Sequence, residues 1–477
     1  MLLRLSLTML AVACPAGAFP EASAVAQDGD DLKAFVRVSP RDPRYLELSS
    51  GRPYIPIGLN MVEPPWNSKD LSGFEEWLKA LSQNHGNYIR VWLSSRYFDI
   101  ESKQSGRYEE EAARHVDELF ALARKYRIRL KLCLEHFRTF DETSWARKPI
   151  HLASNGGPAA SVADFFDGEK SREQFKRKLA FYAARYGSDP IVFGWELWNE
   201  VNCVQGGDVF AWTEVMLSEL HRLFPRNLSM QSLGSHDGDW SRKYYPRMMA
   251  MPGNDLAQVH RYLDQGARYE ICHGPVDLLA ADAVQEIRKL DPGRPILLAE
   301  SGAVEKSHSG PFKLYKKDKS GIILHDVLFA PFFAGAAGPG HIWHWDQYVA
   351  PMGLWWQFGR FAAMVEGIDP PAESFEVLAP EHPILRVRAL KGRRTLLVWL
   401  RDPKDDWRAE LLEEKPPGRI AGATLKLPAG LPPIEKLRAR TYDPWLDEWK
   451  PARLEQGEVA LPEFSRSLVV RIEYPAD

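Results

Sequence analysis

Ile191-Val192-Phe193-Gly194-Trp195-Glu196-Leu197-Trp198-Asn199-Glu200 decides how the chain is read. The run is strand-length and almost wholly apolar, and it ends abruptly in two polar residues. A strand that is apolar on both faces is covered on both faces, as parallel strands between helices are. Working outward, similar runs recur at 54–59, 88–93, 128–134, 228–233, 256–262, 295–299 and 341–345. Between them, 110–126, 171–186, 210–224, 277–290 and 353–365 repeat apolar residues at the three- and four-residue spacing of amphipathic helices. Eight strands alternating with helices predict an α/β fold, a (β/α)8 TIM barrel over residues 50–368.

The pattern changes after residue 368. Asp369-Pro370-Pro371 opens a linker, 369–380, and short alternating runs follow at 385–390, 394–400, 422–426, 436–442 and 467–472. Separated by Pro/Gly turns, they predict an antiparallel β-sandwich over 381–477. Residues 27–49 read as a polar arm packed on the barrel. Residues 1–26 carry Arg4, an apolar stretch at 5–13 and the small-residue site Ala24-Val25-Ala26, the pattern of an export signal. A secreted or periplasmic protein is therefore expected. Lipid anchoring at Cys14 is disfavoured, because Ala11 stands where a larger residue is usual. Removal of 1–26 leaves Cys133, Cys203 and Cys272, an odd set without C-x-x-C spacing, which argues against a disulfide scaffold or structural zinc.

The chain of 477 residues has a formal net charge of -3 and no basic run interleaved with aromatics, so a nucleic-acid partner has no electrostatic support. No segment after the signal is long and apolar enough to cross a bilayer. The 16 tryptophans fit either a large core or flat faces for sugar rings.

In a barrel, chemistry sits at the C-terminal ends of the strands. Glu200 ends the fourth predicted strand, and Glu300 ends the seventh in Arg294-Pro295-Ile296-Leu297-Leu298-Ala299-Glu300. Two carboxyls so placed match the needs of glycosidic bond cleavage, where one protonates the leaving oxygen and the other attacks or activates water. Trp66, Trp198, Trp343 and Trp345 lie near strand ends as candidates for stacking on sugar, and Asn60 as a candidate hydrogen-bonding partner of a sugar hydroxyl. Glu196 reads as a buried carboxylate paired with a basic residue. His136 and His260 lack metal-ligand spacing, so neither a metal nor another cofactor is expected.

These residues resemble those of the retaining (β/α)8 glycosidases that include glycoside hydrolase family 5, the cellulases and β-mannanases. The resemblance implies that Glu200 is the acid/base, Glu300 the nucleophile, and Asn199 a ligand of the sugar 2-hydroxyl. It implies that Arg90, in Tyr88-Ile89-Arg90-Val91-Trp92, orients the nucleophile, and that Tyr262, in His260-Arg261-Tyr262, hydrogen-bonds it. His136 matches a strand-three histidine, and Trp343 or Trp345 the tryptophan flooring the subsite of the transferred sugar. Trp195-Glu196-Leu197-Trp198-Asn199-Glu200 is similar to β-mannanases. The segment 325–338 with His341-Ile342-Trp343-His344-Trp345-Asp346 resembles less-studied relatives, some acting on β-1,3-glucan. Val201 and Ser301 depart from the commonest family sequences. The implied function is hydrolysis of a β-linked mannan or glucan by double displacement, with a non-catalytic carbohydrate-binding barrel or a transglycosylase as alternatives. The glycan, endo or exo action and oligomeric state stay open at this level.

Overall fold

The computed structural model describes residues 29–141 and 148–475. The predicted export signal, with Cys14, lies outside the described residues. Five parallel strands, Gly58–Asn60, Tyr88–Trp92, Arg129–His136, Val192–Asn199 and Leu228–Met230, pair in sequence order. Two more, Ala257–His260 and Ile296–Glu300, form a second parallel ladder. Backbone hydrogen bonds link the two pieces. Asp255 N–H donates to the Ser229 carbonyl at 2.9 Å on one side. On the other, Ser301 N–H donates to His341 O and Asn60 N–H to Ile342 O, both at 3.0 Å.

The predicted eighth strand at 341–345 is corrected by the structure. Only a single parallel bridge, Ser301 to Ile342, forms there. Trp345 N–H turns back onto the Trp343 carbonyl at 2.9 Å, and a π-helical turn, Trp345–Val349, replaces further extension.

The helices follow the sequence periodicity closely. Glu110–Tyr126 buries Ala113, Val116, Leu119, Phe120 and Ala123 on one face. Glu110 and Glu111 in its first turn and Arg124 and Lys125 in its last complement the helix dipole. Arg127, in the left-handed region at φ 58°, ends it. Glu169–Tyr186, Val209–Leu223, Val276–Lys289 and Trp356–Val365 lie within a few residues of their predicted bounds.

Ile322–Phe333 is buried on every side, which explains its lack of a polar face. It lies under a six-stranded antiparallel sheet that includes Arg386–Lys391, Thr395–Arg401, Arg438–Asp443 and Ser467–Glu473. Along Thr395–Arg401 the side chains divide between two cores. Leu397 and Trp399 join the core of the N-terminal region. Leu396, Val398 and Leu400 join a second core, shared with Leu425 and Val459 of a separate three-stranded antiparallel sheet. The two-residue period of a strand makes one segment serve both. Buried Arg401 donates to Asp326 on the helix at 2.9 Å, adding an ionic tie to this apolar seam. At the other end of the chain, residues in the predicted arm form Val36–Val38 and Leu46–Leu48, which pair with Pro53–Tyr54 in an antiparallel sheet.

Candidate active site

The site is organised around a charged group placed where the sequence gives no solvent. Arg90, in the middle of Tyr88–Trp92, is fully buried. Its guanidinium reaches four oxygen-bearing side chains, and the Cys133 sulfur at 3.9 Å. Nε donates to Glu196 Oε2 at 2.6 Å, and Nη2 to Asn199 Oδ1 at 2.7 Å. Nη1 donates to Asn60 Oδ1 at 3.2 Å and to Glu300 Oε1 in a short contact. The planar fork of arginine suits this divergent arrangement in a way that a lysine ammonium would not. Glu196 and Asn199 both meet Arg90 although they stand three positions apart, an odd offset. Strict in–out alternation therefore slips at the end of Val192–Asn199.

Glu300 completes its strand with 3% of its surface exposed. Tyr262 Oη donates to its Oε2 at 2.9 Å. Burial, together with the charge of Glu300, raises the Tyr262 phenol well above its ordinary value, so it stays a hydrogen donor. Glu200 follows Asn199 directly and adopts φ 55°, ψ 51°, a left-handed conformation unusual for glutamate. Its N–H donates to Ser232 Oγ at 3.1 Å, which helps to hold the turn. His260 Nδ1 lies 2.8 Å from Glu200 Oε1 and 3.5 Å from Glu300 Oε2. With carboxyl oxygens facing it, Nδ1 carries the ring proton. The ligand atoms of Glu200, His260 and Glu300 all lie within 4.8 Å of one another.

The two carboxyls differ in their surroundings. Burial raises the proton affinity of Glu200; the His260 hydrogen bond opposes this and the charge of Glu300 adds to it, with a net upward shift. Glu300 has instead a guanidinium and a phenol donor. Glu196 is deeper still. Burial opposes its charge, but Arg90 and Lys131 outweigh burial and hold it at about 2.

Both carboxyls open onto a cleft of about 560 Å³. Trp92 stacks on His136 with centroids 5.0 Å apart and meets Trp343 at 5.1 Å, and Trp345 stands edge-on to Trp343 at 5.7 Å. Burial lowers His136 to about 4, so it faces the cleft as a neutral ring near pH 7. Trp66 is 59% exposed at the rim, with the Arg96 guanidinium 3.7 Å from its ring centroid.

Of the residues singled out from sequence, Glu200, Glu300, Asn199, Tyr262, His136, Trp66, Trp343 and Trp345 line this cleft. Arg90 and His260 sit behind it and act through the carboxyls. Two placements differ from expectation. Asn60 is fully buried, and its amide donates to the carbonyls of Ala299, His341 and Ile342 at 3.0–3.3 Å while its oxygen receives Arg90. It is committed to the frame, not to a sugar hydroxyl. Trp198 is also fully buried, among Phe140, Phe165, Phe166 and Trp212, on the helical side of the strand. The slip in alternation sends it outward. Accordingly Trp198→Ala should lower unfolding free energy by about 3–5 kcal/mol and leave KM nearly unchanged. Trp343→Ala should do the reverse, raising KM with little change in denaturation midpoint; equal KM effects would refute the assignment.

Arg96, Arg138, His308 and His344 also line the cleft, and sequence spacing did not single them out. For His308 the available signal was the long connection at 300–320, directly after a strand end. Among the described residues, three groups could share a cation: the Glu200 group, Glu101–Glu135–His151, and Asp237–Asp264–His308. In the second, Lys178 already supplies positive charge, 2.5 Å from Glu135 and 3.4 Å from Glu101.

No protein-family model matches the chain. It is 25% identical over 324 residues to mannan endo-1,4-beta-mannosidase 3 of Oryza sativa subsp. japonica, covering 62% of this chain and 66% of that protein. It is 23% identical over 391 residues to mannan endo-1,4-beta-mannosidase 7 of Arabidopsis thaliana, covering 73% of this chain and 83% of that one. The chain is thus similar in sequence to these glycosidases. A solved glycoside hydrolase family 5 structure from Bacteroides vulgatus superposes with a TM-score of 0.55 at 13% identity, over 92% of this chain and 94% of that one. At that identity the likeness concerns the fold, and it supports the (β/α)8 arrangement for the parallel strands.

Proposed function

We propose that the protein is an exported retaining β-glycoside hydrolase that acts on a β-1,4-linked mannan. The observation that carries the reading is the approach of Glu200 and Glu300 to one imidazole nitrogen, with ligand atoms within 4.8 Å. Retaining enzymes hold their carboxyls about 5–5.5 Å apart, whereas inverting enzymes leave roughly 6.5–9.5 Å for a water. Support for mannan as substrate comes from the curated relatives, whose names specify endo-1,4-beta-mannosidases. The C-terminal pair of antiparallel sheets is read as a β-sandwich that braces the barrel through Ile322–Phe333.

In the first step, ionised Glu300 attacks the anomeric carbon while Glu200 donates its proton to the leaving oxygen. Arg90 and Tyr262 hold the attacking carboxylate in place. Formation of the ester removes the charge of Glu300, and with it one cause of the high proton affinity of Glu200. Glu200 then accepts a proton from water, which resolves the intermediate with net retention.

Because Glu200 must be protonated to act and its proton affinity is raised, the alkaline limb of kcat/KM should fall above the ordinary glutamate value of 4.5. A pH profile on a soluble mannan, with Glu200→Gln as the control, checks this. A limb at or below that value would remove Glu200 from the acid role. The substrate class is tested by hydrolysis of mannan, β-1,4-glucan and β-1,3-glucan. Preferential cleavage of a glucan would overturn the mannan reading, and inactivity on all three would overturn the hydrolase reading for β-glycans.

A further inference from the structure

His308 lies on the cleft in a segment whose backbone is held in an uncommon form. Ser307 at φ 58° and His308 at φ 57° are consecutive left-handed residues, and neither is glycine. Conformations of this kind persist where the surroundings over-determine them, and they cluster at functional sites. Here the surroundings are Asp264, whose side chain is 2% exposed. Its Oδ1 accepts from Gly266 N–H at 2.7 Å and Ser307 N–H at 2.8 Å. Its Oδ2 accepts from His308 N–H at 3.1 Å and faces His308 Nδ1 at 3.1 Å. A buried carboxylate thus gives both oxygens to presenting one imidazole.

The orientation has a chemical consequence. With a carboxylate on Nδ1, that nitrogen keeps its proton in either charge state. Nε2 is then the atom that titrates, a donor in the imidazolium and an acceptor in the neutral ring. The ring packs edge-on to Tyr262, centroids 4.9 Å apart, and is near enough to Glu200 for the two charges to act on each other, which sets it beside the group that protonates the leaving oxygen. The aromatic group of Trp92, His136 and Trp343 comes from other strand ends.

We infer that His308 is a specificity-determining residue of the leaving-group side, donating from Nε2 to the sugar whose linking oxygen Glu200 protonates, while its charge acts on Glu200. The inference rests on the glycosidase reading. The groups facing His308 from neighbouring elements are Asp264, Asp237, Glu200, Tyr262 and His344. Burial disfavours the imidazolium, but the Asp264 hydrogen bond and the charges of Glu200, Asp264 and Asp237 outweigh it, and the net shift is upward. His344 does not compete for the proton, since burial and the charge of His308 lower it to about 3.

The sign on Glu200 follows. The imidazolium favours ionised Glu200, so removing it raises the proton affinity of Glu200. The test is His308→Gln, assayed on mannotetraose and on an aryl β-mannoside that lacks a leaving sugar. We expect kcat/KM on the tetrasaccharide to fall about tenfold, the loss of one charge-assisted hydrogen bond. The aryl substrate should lose less than about twofold. On both substrates the alkaline limb should move to higher pH, and His308→Lys should bring it back. Equal losses on the two substrates, or an unmoved limb, would overturn the inference. Histidine-selective NMR of the full chain gives a readout without turnover. The His308 titration should move to lower pH in Glu200→Gln, and an unmoved titration would overturn the coupling. Wild-type inactivity on both substrates would count against the β-mannosidase reading itself, with the NMR result then standing alone for His308.

Discussion

Glu300→Ala is expected to lower kcat on an aryl β-mannoside by about ten-thousandfold or more, and added azide to restore turnover as a glycosyl azide of inverted anomeric configuration. Loss of a nucleophile removes the covalent route entirely, and comparable deletions in hydrolases cost about 10⁴–10⁶-fold. The inverted product is the discriminating part. A small anion in the vacated space attacks the anomeric carbon once, where the proposed mechanism displaces twice. The fold should tolerate the change, because Arg90 keeps Glu196 at 2.6 Å as a counter-charge. Product analysis by NMR decides between roles. An azide of retained configuration would mean that the covalent step survives without Glu300 and that Glu300 serves as acid/base. Turnover within tenfold of wild type, without azide, would remove it from the chemistry.

The carboxyl pair was legible in the sequence because strand ends are legible. A long apolar run that stops at a polar residue marks both the end of a buried strand and the place where a side chain meets the cleft. Glu200 and Glu300 follow that logic, whereas Arg90, inside its strand, and Tyr262, beyond the end of its own, were assigned through the family resemblance; the structure joins both to Glu300 through hydrogen bonds. Trp198 and Asn60 were misread for one reason: proximity to a strand end does not fix direction. A slip of one residue in alternation turns Trp198 into the aromatic shell. A barrel interior that holds Arg90 needs an acceptor beneath it, and this consumes Asn60. The bridge at Ile342 could not be told from a strand, since His341–Trp345 has strand composition and its turn depends on a backbone contact. His308 was illegible for a further reason. Its position follows from Asp264, 44 residues away in the chain, and loops carry no periodicity to reveal such a partner.

Arg90→Met should be among the most destabilising single substitutions in the protein and should also abolish turnover. Removing one partner of a buried ionic cluster leaves the others uncompensated, at a cost of about 3–5 kcal/mol. Glu196 has no exposed surface, and after the substitution its one remaining counter-charge among the described residues would be Lys131, 3.2 Å away and itself lowered by burial to about 8. The pH dependence has a defined sign. The folded Glu196 carboxyl is depressed to about 2, so its contribution to stability is complete above the ordinary glutamate range and is lost as pH falls through about 2. Without Arg90 that advantage should shrink, and the acid side of the stability profile should flatten. Urea unfolding between pH 2 and 8 measures both effects. A second variant separates stability from chemistry. Arg90→Met combined with Glu196→Met replaces the charged pair with apolar bulk and should recover much of the lost stability. It should not recover activity, because Glu300 would still lack the guanidinium that holds and orients it. Recovery of turnover in the double variant would show that Arg90 serves the fold alone and that Tyr262 suffices to position the nucleophile.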